Sequence, residues 1–281
     1  MRELTGKPIA DRITAELMPK IKALTERGNV PCLGILRVGE NEDDLAYERA
    51  ILSRFHTAGA TVRVTALPDG VTQGELEESL QNMNGDKAIH GILILRPLPP
   101  SIDEARVCAL LAPEKDVDGM TDASLARVFR GDRDAFPPCT AAAVMELAHG
   151  YGIDFAGKRV TLVGRSLVVG RPLLLLLLAE HATVTVCHTK TADLAAACRG
   201  AEIVISCAGK AGLIGENELS DGQTVLDVGM NAAPDGTLCG DVDRTAAERH
   251  AAALTPVPRG IGSVTAAVLL RHTVEAAEKK E

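Results

Sequence analysis

The sequence predicts an α/β protein with parallel sheets, built as two consecutive α/β series. Short apolar runs alternate with longer amphipathic stretches along the chain, the spacing expected of β–α–β units. The runs stop near a glycine, a proline or a polar residue, where open α/β sheets place their ligands. The clearest case is 159–172, where a β-branched run ends at Gly164 and Pro172 then opens a helix with six consecutive leucines, Leu173 to Leu178. Proline suits a first helical turn because its missing N–H would be unpaired there. A strand, a glycine turn and a helix N-terminus together offer backbone N–H groups and a helix dipole to a phosphate. The glycines fall at Gly164 and Gly170, so this is not the G-x-G-x-x-G fingerprint, and an ordinary β–α turn fits the spacing equally well. Arg165 and Ser166 tip the reading toward a phosphate-bearing ligand, since both side chains can bind anionic oxygen.

In the first series, Ile9 to Arg27 reads as an amphipathic helix and Pro31 to Val38 as a buried strand. Leu45 to Ala58 is helical in pattern and ends at Gly59. Ala60 to Ala66 is a second strand and Gly74 to Asn84 a helix. Ile89 to Leu95 is a third strand, stopped by Pro97, Pro99 and Pro100. Ala141 to Gly150 forms a helix leading out of this unit. The second series has strands at Arg159–Val163, Thr183–Cys187, Glu202–Ser206 and Gln223–Val228, with helices between the first few. A last helix, Ser263 to Lys280, closes the chain. The six leucines read as core, on a helix packed on both sides.

At 281 residues the chain can hold two modest domains or one large one. Aromatic residues make up 2% with no Trp, so the core is aliphatic and base-stacking platforms are not expected. A formal net charge of -8 argues against a nucleic-acid partner, which needs a basic face. No apolar run approaches the roughly 20 residues of a membrane span, and the N-terminus lacks the apolar stretch of a signal peptide. The seven cysteines are scattered and never in C-x-x-C spacing, so neither a disulfide framework nor a metal site is expected. Cys32, Cys187 and Cys207 read as buried small hydrophobes. A cytoplasmic protein is the expectation.

Several segments carry more specific information when taken together. They are Lys115-Asp-Val-Asp-Gly119, Pro138-Cys-Thr140, Gly164-Arg-Ser166 with Val169-Gly-Arg-Pro172, and Ala182-Thr-Val-Thr-Val-Cys-His188. Asp227-Val-Gly229, Gly240-Asp-Val242 and Thr255-Pro-Val-Pro258 complete the set. Each alone is weak, and a Lys-Asp-Val-Asp string by itself reads as a solvated loop. In this order they resemble the bifunctional methylenetetrahydrofolate dehydrogenase/cyclohydrolase family. The resemblance implies an N-terminal α/β folate-binding lobe and a C-terminal Rossmann NAD(P)-binding lobe with a cleft between them. It places residues 1–138 and the returning helix 263–281 in the first lobe, and 139–262 in the second. It implies hydride transfer from 5,10-methylenetetrahydrofolate to a nicotinamide cofactor, then hydrolysis of the methenyl cation, within one-carbon metabolism and purine biosynthesis. It also implies a homodimer through the Rossmann lobe.

The same resemblance assigns the site residues. Gly164, Arg165, Ser166 and Thr189 fall by the cofactor's ribose and its 2′-phosphate, and an arginine fork suits a phosphate dianion, so NADP is expected. Met230 falls where the family contacts the cofactor through backbone. Asp118 matches the carboxylate that pairs with the pterin's N–H and amino groups, and Tyr47 the aromatic along the substrate's rings. Alone, Thr189 reads as a turn hydroxyl and Tyr47 as a partly buried helix tyrosine.

The pattern breaks at one place. The family's Tyr-x-x-x-Lys puts both side chains on one helix face, but four residues beyond Tyr47 stands Ile51. The glutamine that hydrogen-bonds that lysine is replaced by Leu95, and an upstream serine by Asp44. A glycine of the C-terminal loop has become Arg259. The paired loss is coherent, because a glutamine without its lysine would be a buried polar group costing about 1–3 kcal/mol. The resulting apolar wall cannot shuttle protons, and general acid–base help is worth roughly 10²–10⁴-fold to hydration of the methenyl carbon. Hydride transfer needs mainly orientation. The expectation is a working dehydrogenase with a weak or lost cyclohydrolase. The alternatives are a folate- and NADP-binding regulatory protein without turnover, prompted by Arg259 and Asp44, and an enzyme in which Arg49 or Arg54 substitutes for the lysine. A dehydrogenase for another substrate on a related scaffold ranks last, since it leaves Asp118 and its flanks unexplained.

Overall fold

A computed structural model describes residues 1–132, 134–233 and 236–279. In chain order the elements begin with β1 (Arg2–Glu3), α1 (Lys7–Glu26), β2 (Cys32–Val38), α2 (Glu42–Ala58), β3 (Thr61–Leu67), α3 (Gln73–Gly85) and β4 (Gly91–Ile94). There follow α4 (Glu104–Leu110), α5 (Asp122–Arg130), α6 (Cys139–Gly150), β5 (Arg159–Val163), α7 (Gly170–Ala179), β6 (Thr183–Cys187), α8 (Leu194–Arg199) and β7 (Ile203–Ser206). The last are β8 (Gln223–Asp227), β9 (Asn231–Ala232), β10 (Leu238–Cys239), α9 (Arg244–His250), β11 (Ala251–Leu254) and α10 (Gly262–Glu278). The expected extension of the final helix to Lys280, and Glu281 beyond it, lie outside the described residues.

The chain forms two units, one of Met1–Ala10 with Thr140–Thr265, the other of Asp11–Cys139 with Ala266–Glu281. The second holds a three-stranded parallel sheet in the order β3-β2-β4. Central β2 is buried along nearly all its length, which is why it reads as a nearly continuous apolar run, broken only by Arg37. Edge strand β3 has no buried position, with Thr61, Arg63, Val64 and Ala66 exposed. Helix α2 starts where Asn41 accepts the Asp43 N–H and ends at Gly59, whose φ of 84° is the left-handed cap that glycine allows. Thr72 and Glu75 close a capping box on α3.

The other unit holds a six-stranded sheet, β1-β11-β8-β7-β5-β6, in which every pairing is parallel. Residues 1–10 group with this sheet, because Arg2 and Glu3 pair with Ala253 and Leu254 of β11. A two-residue strand carries no periodicity for a sequence reading to detect. The leucine helix is corrected. Leu173 and Leu177, one turn apart, are fully buried, whereas Leu178 is 51% exposed, so α7 buries one face and not two. Among the described residues no helix is long and apolar enough to cross a membrane. Cys32 and Cys187 are buried as expected, and Cys207 is half-buried.

His250, at the end of α9, ties that helix to the loop before β8. Its Nε2 lies 2.8 Å from Glu216 Oε1 and its Nδ1 2.6 Å from Asp221 Oδ1. These two carboxylates hold the imidazole above its ordinary value of 6.5. A raised folded-state value stabilises fully below the unfolded one and fades as pH rises through the folded one. His250→Gln should therefore lower Tm most at pH 5–6, with the difference shrinking as pH rises, which thermal melts across a pH series would read.

Candidate active site

The Lys115–Gly119 segment is not a solvated loop. Lys115 is buried, its Nζ donating to the carbonyls of Met83 at 2.9 Å and Asp86 at 2.7 Å. Asp116 is wholly buried and accepts from Met120 N at 3.0 Å, Thr121 N at 2.8 Å and Thr121 Oγ1 at 2.7 Å. These two residues anchor the turn, and Asp118 beside them is half-buried. Gly119 has φ 66°, and a Cβ there would come within 2.5 Å of the Phe136 carbonyl, so the 136–138 segment lies directly on the turn. Burial raises the Asp118 carboxyl to about 6 against the opposing pull of the Arg96 guanidinium, with Asp116 adding to the rise. Hydrogen bonds from the Cys139 thiol and backbone partly offset this. Cys139 itself, buried beside Asp118, has its thiol pushed well above the ordinary range. Its Sγ also lies 3.3 Å from the Val117 carbonyl.

On α2, Tyr47, Ile51 and Phe55 follow at four-residue steps along one face. Burial, then the Asp118 charge and Cys139, push the Tyr47 phenol well above its usual range, which puts Tyr47 in the electrostatic neighbourhood of Asp118. Ile51 is 0% exposed and Leu95 5%, so the two positions where the resemblance expects a lysine and a glutamine are both dry. Neither suggested cationic substitute fits. Arg49 is exposed, and Arg54 is committed to Asp11 Oδ1 and Thr14 Oγ1, each at 3.0 Å. The structure instead shows a buried ion pair that sequence reasoning missed, Arg37 Nε to Glu48 Oε2 at 2.9 Å, with Arg37 also donating to the Gly39 carbonyl. An arginine inside the apolar run of β2 was the available signal. Burial, then Asp43, raises the carboxyl of Asp44, one turn ahead of Tyr47.

In the other unit the candidate residues stand at the carboxyl ends of parallel strands, where such sheets bind ligands. Gly164 follows β5 with φ 128°, and a Cβ there would lie 2.6 Å from the Cys207 carbonyl and 2.7 Å from its Sγ. The first helical turn of α7 is satisfied internally. Ser166 Oγ accepts from Val169 N at 3.1 Å and Gly170 N at 3.4 Å, the Ser166 carbonyl accepts from Arg171 N at 2.9 Å, and Pro172 has no N–H. The N–H groups of that first turn thus already have acceptors within the chain. Arg165 is exposed and makes no ion pair among the described residues. After β6 the turn hydroxyl is that of Thr191, which accepts from His188 N at 2.8 Å, so the exposed Thr189 hydroxyl is not consumed by the turn. Met230 is 62% exposed beyond β8, its methyl against Gly262.

Behind these ends sits a reciprocal acidic lock. Asp227 accepts from the N–H groups of Gly229 (3.0 Å), Asp241 (3.0 Å) and Val242 (2.9 Å). Asp241 accepts from Ser206 Oγ (2.9 Å), Asn231 Nδ2 (3.0 Å) and the Ala208, Gly209 and Lys210 amides. A Cβ on Gly229 would collide with the Asp241 carboxylate, and one on Gly240 with that of Asp227. The Asp227-Val-Gly229 and Gly240-Asp-Val242 motifs are thus one interlocked structure. Burial leads the rise of the Asp227 carboxyl to about 6.

Comparison with known proteins agrees with this geometry. Residues 4–118 match the tetrahydrofolate dehydrogenase/cyclohydrolase catalytic domain, and 138–281 match the NAD(P)-binding domain of the same name. The chain is 44% identical over 273 residues to the bifunctional protein FolD of Clostridioides difficile, covering 97% of this chain and 95% of that one. It is 45% identical over 277 residues to that of Carboxydothermus hydrogenoformans, covering 98% and 96%. Among solved structures, the bifunctional FolD of Campylobacter jejuni superposes with a TM-score of 0.96 at 35% identity, covering 100% of both chains. The Trypanosoma brucei methylenetetrahydrofolate dehydrogenase-cyclohydrolase, solved with NADP cofactor and an inhibitor, gives 0.93 at 36% identity, covering 98% and 97%.

Proposed function

This chain belongs to the tetrahydrofolate dehydrogenase/cyclohydrolase family, and from that premise we propose that it oxidises 5,10-methylenetetrahydrofolate with NADP while its methenyl hydrolysis is weak or lost. The observation that carries this reading is the fully buried Ile51 at the lysine position, with Leu95 buried at the glutamine position, while Asp118 and the residues of the cofactor loop are retained in the sequence. Asp118 accepts the pterin's N–H and amino donors, a pairing that needs a two-oxygen acceptor. Tyr47 lies along the substrate's rings. Bound NADP supplies the hydride acceptor. The chain's residues fit it: Gly164 keeps the loop clear of side chain, Arg165, without an ion pair among the described residues, is a fork for the 2′-phosphate, and Thr189 and Ser166 add hydroxyls. Met230 adds backbone contact.

The decisive assay mixes protein, methylenetetrahydrofolate and NADP⁺ and follows methenyl absorbance. A rise that decays only at the uncatalysed rate supports the reading, and enzyme-dependent decay sinks it. The regulatory alternative rests on Arg259, an exposed arginine held at φ 81° where the family has glycine. Tight NADP⁺ binding with no absorbance change would favour it.

Arg165→Ala is expected to weaken NADP about 10- to 100-fold while leaving NAD nearly unchanged, since a charge-assisted hydrogen bond is worth about 1.5–3 kcal/mol. Paired titrations with the two cofactors would show it. The same reading includes a homodimer through the nucleotide-binding unit, supported by the exposed Leu178, and light scattering of the purified protein tests it. A cytoplasmic place in one-carbon metabolism and purine biosynthesis, supported by seven free thiols, completes it.

A further inference from the structure

Behind Asp118 lies a buried imidazole that the proposed reaction does not use. His272, on α10, is 6% exposed. Its Nδ1 lies 2.8 Å from the Val117 carbonyl, which only accepts, so that nitrogen carries a proton and donates. The same nitrogen is 3.7 Å from Cys139 Sγ, and the ring lies 5.0 Å from that of Phe136, tilted by 34°. Each partner borders Asp118. The Val117 carbonyl belongs to the peptide that carries the Asp118 N–H. Cys139 stands close enough to the Asp118 carboxylate for each to shift the other's titration, and the Phe136 carbonyl abuts Gly119. An apolar side chain would fill this space without the desolvation cost of an imidazole, a cost that the Val117 hydrogen bond offsets.

We infer that His272 is a positioning residue for the folate substrate, fixing the rotation of the Val117–Asp118 peptide and with it the direction of the Asp118 carboxylate. A carboxylate that must meet two coplanar donors loses both hydrogen bonds when it swings out of their plane. The inference rests on the proposed pairing of Asp118 with the pterin.

The test compares H272N and H272L, which have nearly the same shape and differ in whether a donor is present, with D118N as reference. H272L should raise the KM for methylenetetrahydrofolate roughly tenfold, the loss of about one hydrogen bond. Its kcat and its affinity for NADP should stay within about twofold of the original, a factor of two being under 0.5 kcal/mol. H272N should keep a near-original KM. If H272L does not fold, H272F, which keeps a ring against Phe136 without a donor, should show the same KM rise. Equal KM values in H272N and the donor-free variant would overturn the inference, as would a parallel loss of NADP affinity. An unaffected KM in D118N would overturn the folate reading of Asp118 and this inference with it. A damaged D118N beside an unaffected H272L would overturn the inference alone.

Discussion

Installing Ile51→Lys and Leu95→Gln together is expected to raise methenyl hydrolysis by roughly 10²–10⁴-fold, the usual worth of a positioned acid–base group. Each single change should instead destabilise the protein and add little activity. Ile51 is fully buried, so I51K alone removes an apolar side chain worth about 1.5–3 kcal/mol and leaves an ammonium to deprotonate in a dry site. L95Q alone buries an amide without a partner, costing about 1–3 kcal/mol. Combined, the amide and the amine can satisfy one another, so the double variant should melt higher than the sum of the singles, by a coupling of about 0.5–3 kcal/mol. Melting curves of the four proteins and the decay of methenyl absorbance check both halves. A double variant that is well folded, coupled in stability and still without hydrolysis would show that these two positions are not what limits the step. The buried Arg37–Glu48 pair and Asp44 would then be the next suspects, since they also alter the charge around α2.

What the sequence revealed, and what it concealed, follows from the range of the interactions. The central strand β2 was readable because both of its faces are buried and the run is nearly all apolar. The Ile51 substitution was readable because helical spacing places residue 51 beneath residue 47 whatever the rest of the fold does. Helices α4 and α5 were missed because they are short and lie among prolines and glycines. Strands β1 and β11 were missed because one is two residues long and the other alanine-rich, and only their pairing with each other and with β8 makes them strands. The roles of Lys115 and Asp116 were hidden because their partners are backbone groups, at Met83 and Asp86 for Lys115 and at Met120 and Thr121 for Asp116. No residue type at those positions advertises a buried carbonyl or amide. The six leucines misled because composition does not say how many faces a helix buries.

Asp118→Asn should cause the largest loss of folate recognition while making the protein no less stable. The amide replaces one acceptor with a donor pointed at donors, removing at least one charge-assisted hydrogen bond and adding a clash of like groups. At about 1.5–3 kcal/mol for the lost bond, KM should rise by roughly one to two orders of magnitude. NADP affinity should hold, because Asp118 and the cofactor residues belong to different units. The stability sign is opposite to that of an ordinary salt-bridged aspartate. Burial lifts the folded carboxyl from 3.8 to about 6, so the folded state binds more protons than the unfolded one between those values. Stability contributed by this group therefore falls as pH rises through that window, and ionised Asp118 is a net cost at pH 7. Asparagine removes the cost, so D118N should melt at or above the original Tm at pH 7 and lose its advantage below pH 4. Function runs the other way. Pterin binding requires the ionised form, so kcat/KM should be flat above about 6 and fall up to tenfold per pH unit below it. In D118N that limb should vanish. A pH series of kcat/KM from 5 to 8, read beside melts of both proteins, separates the two effects; an acid limb that survives in D118N would assign the titration, and the pterin contact, to another group.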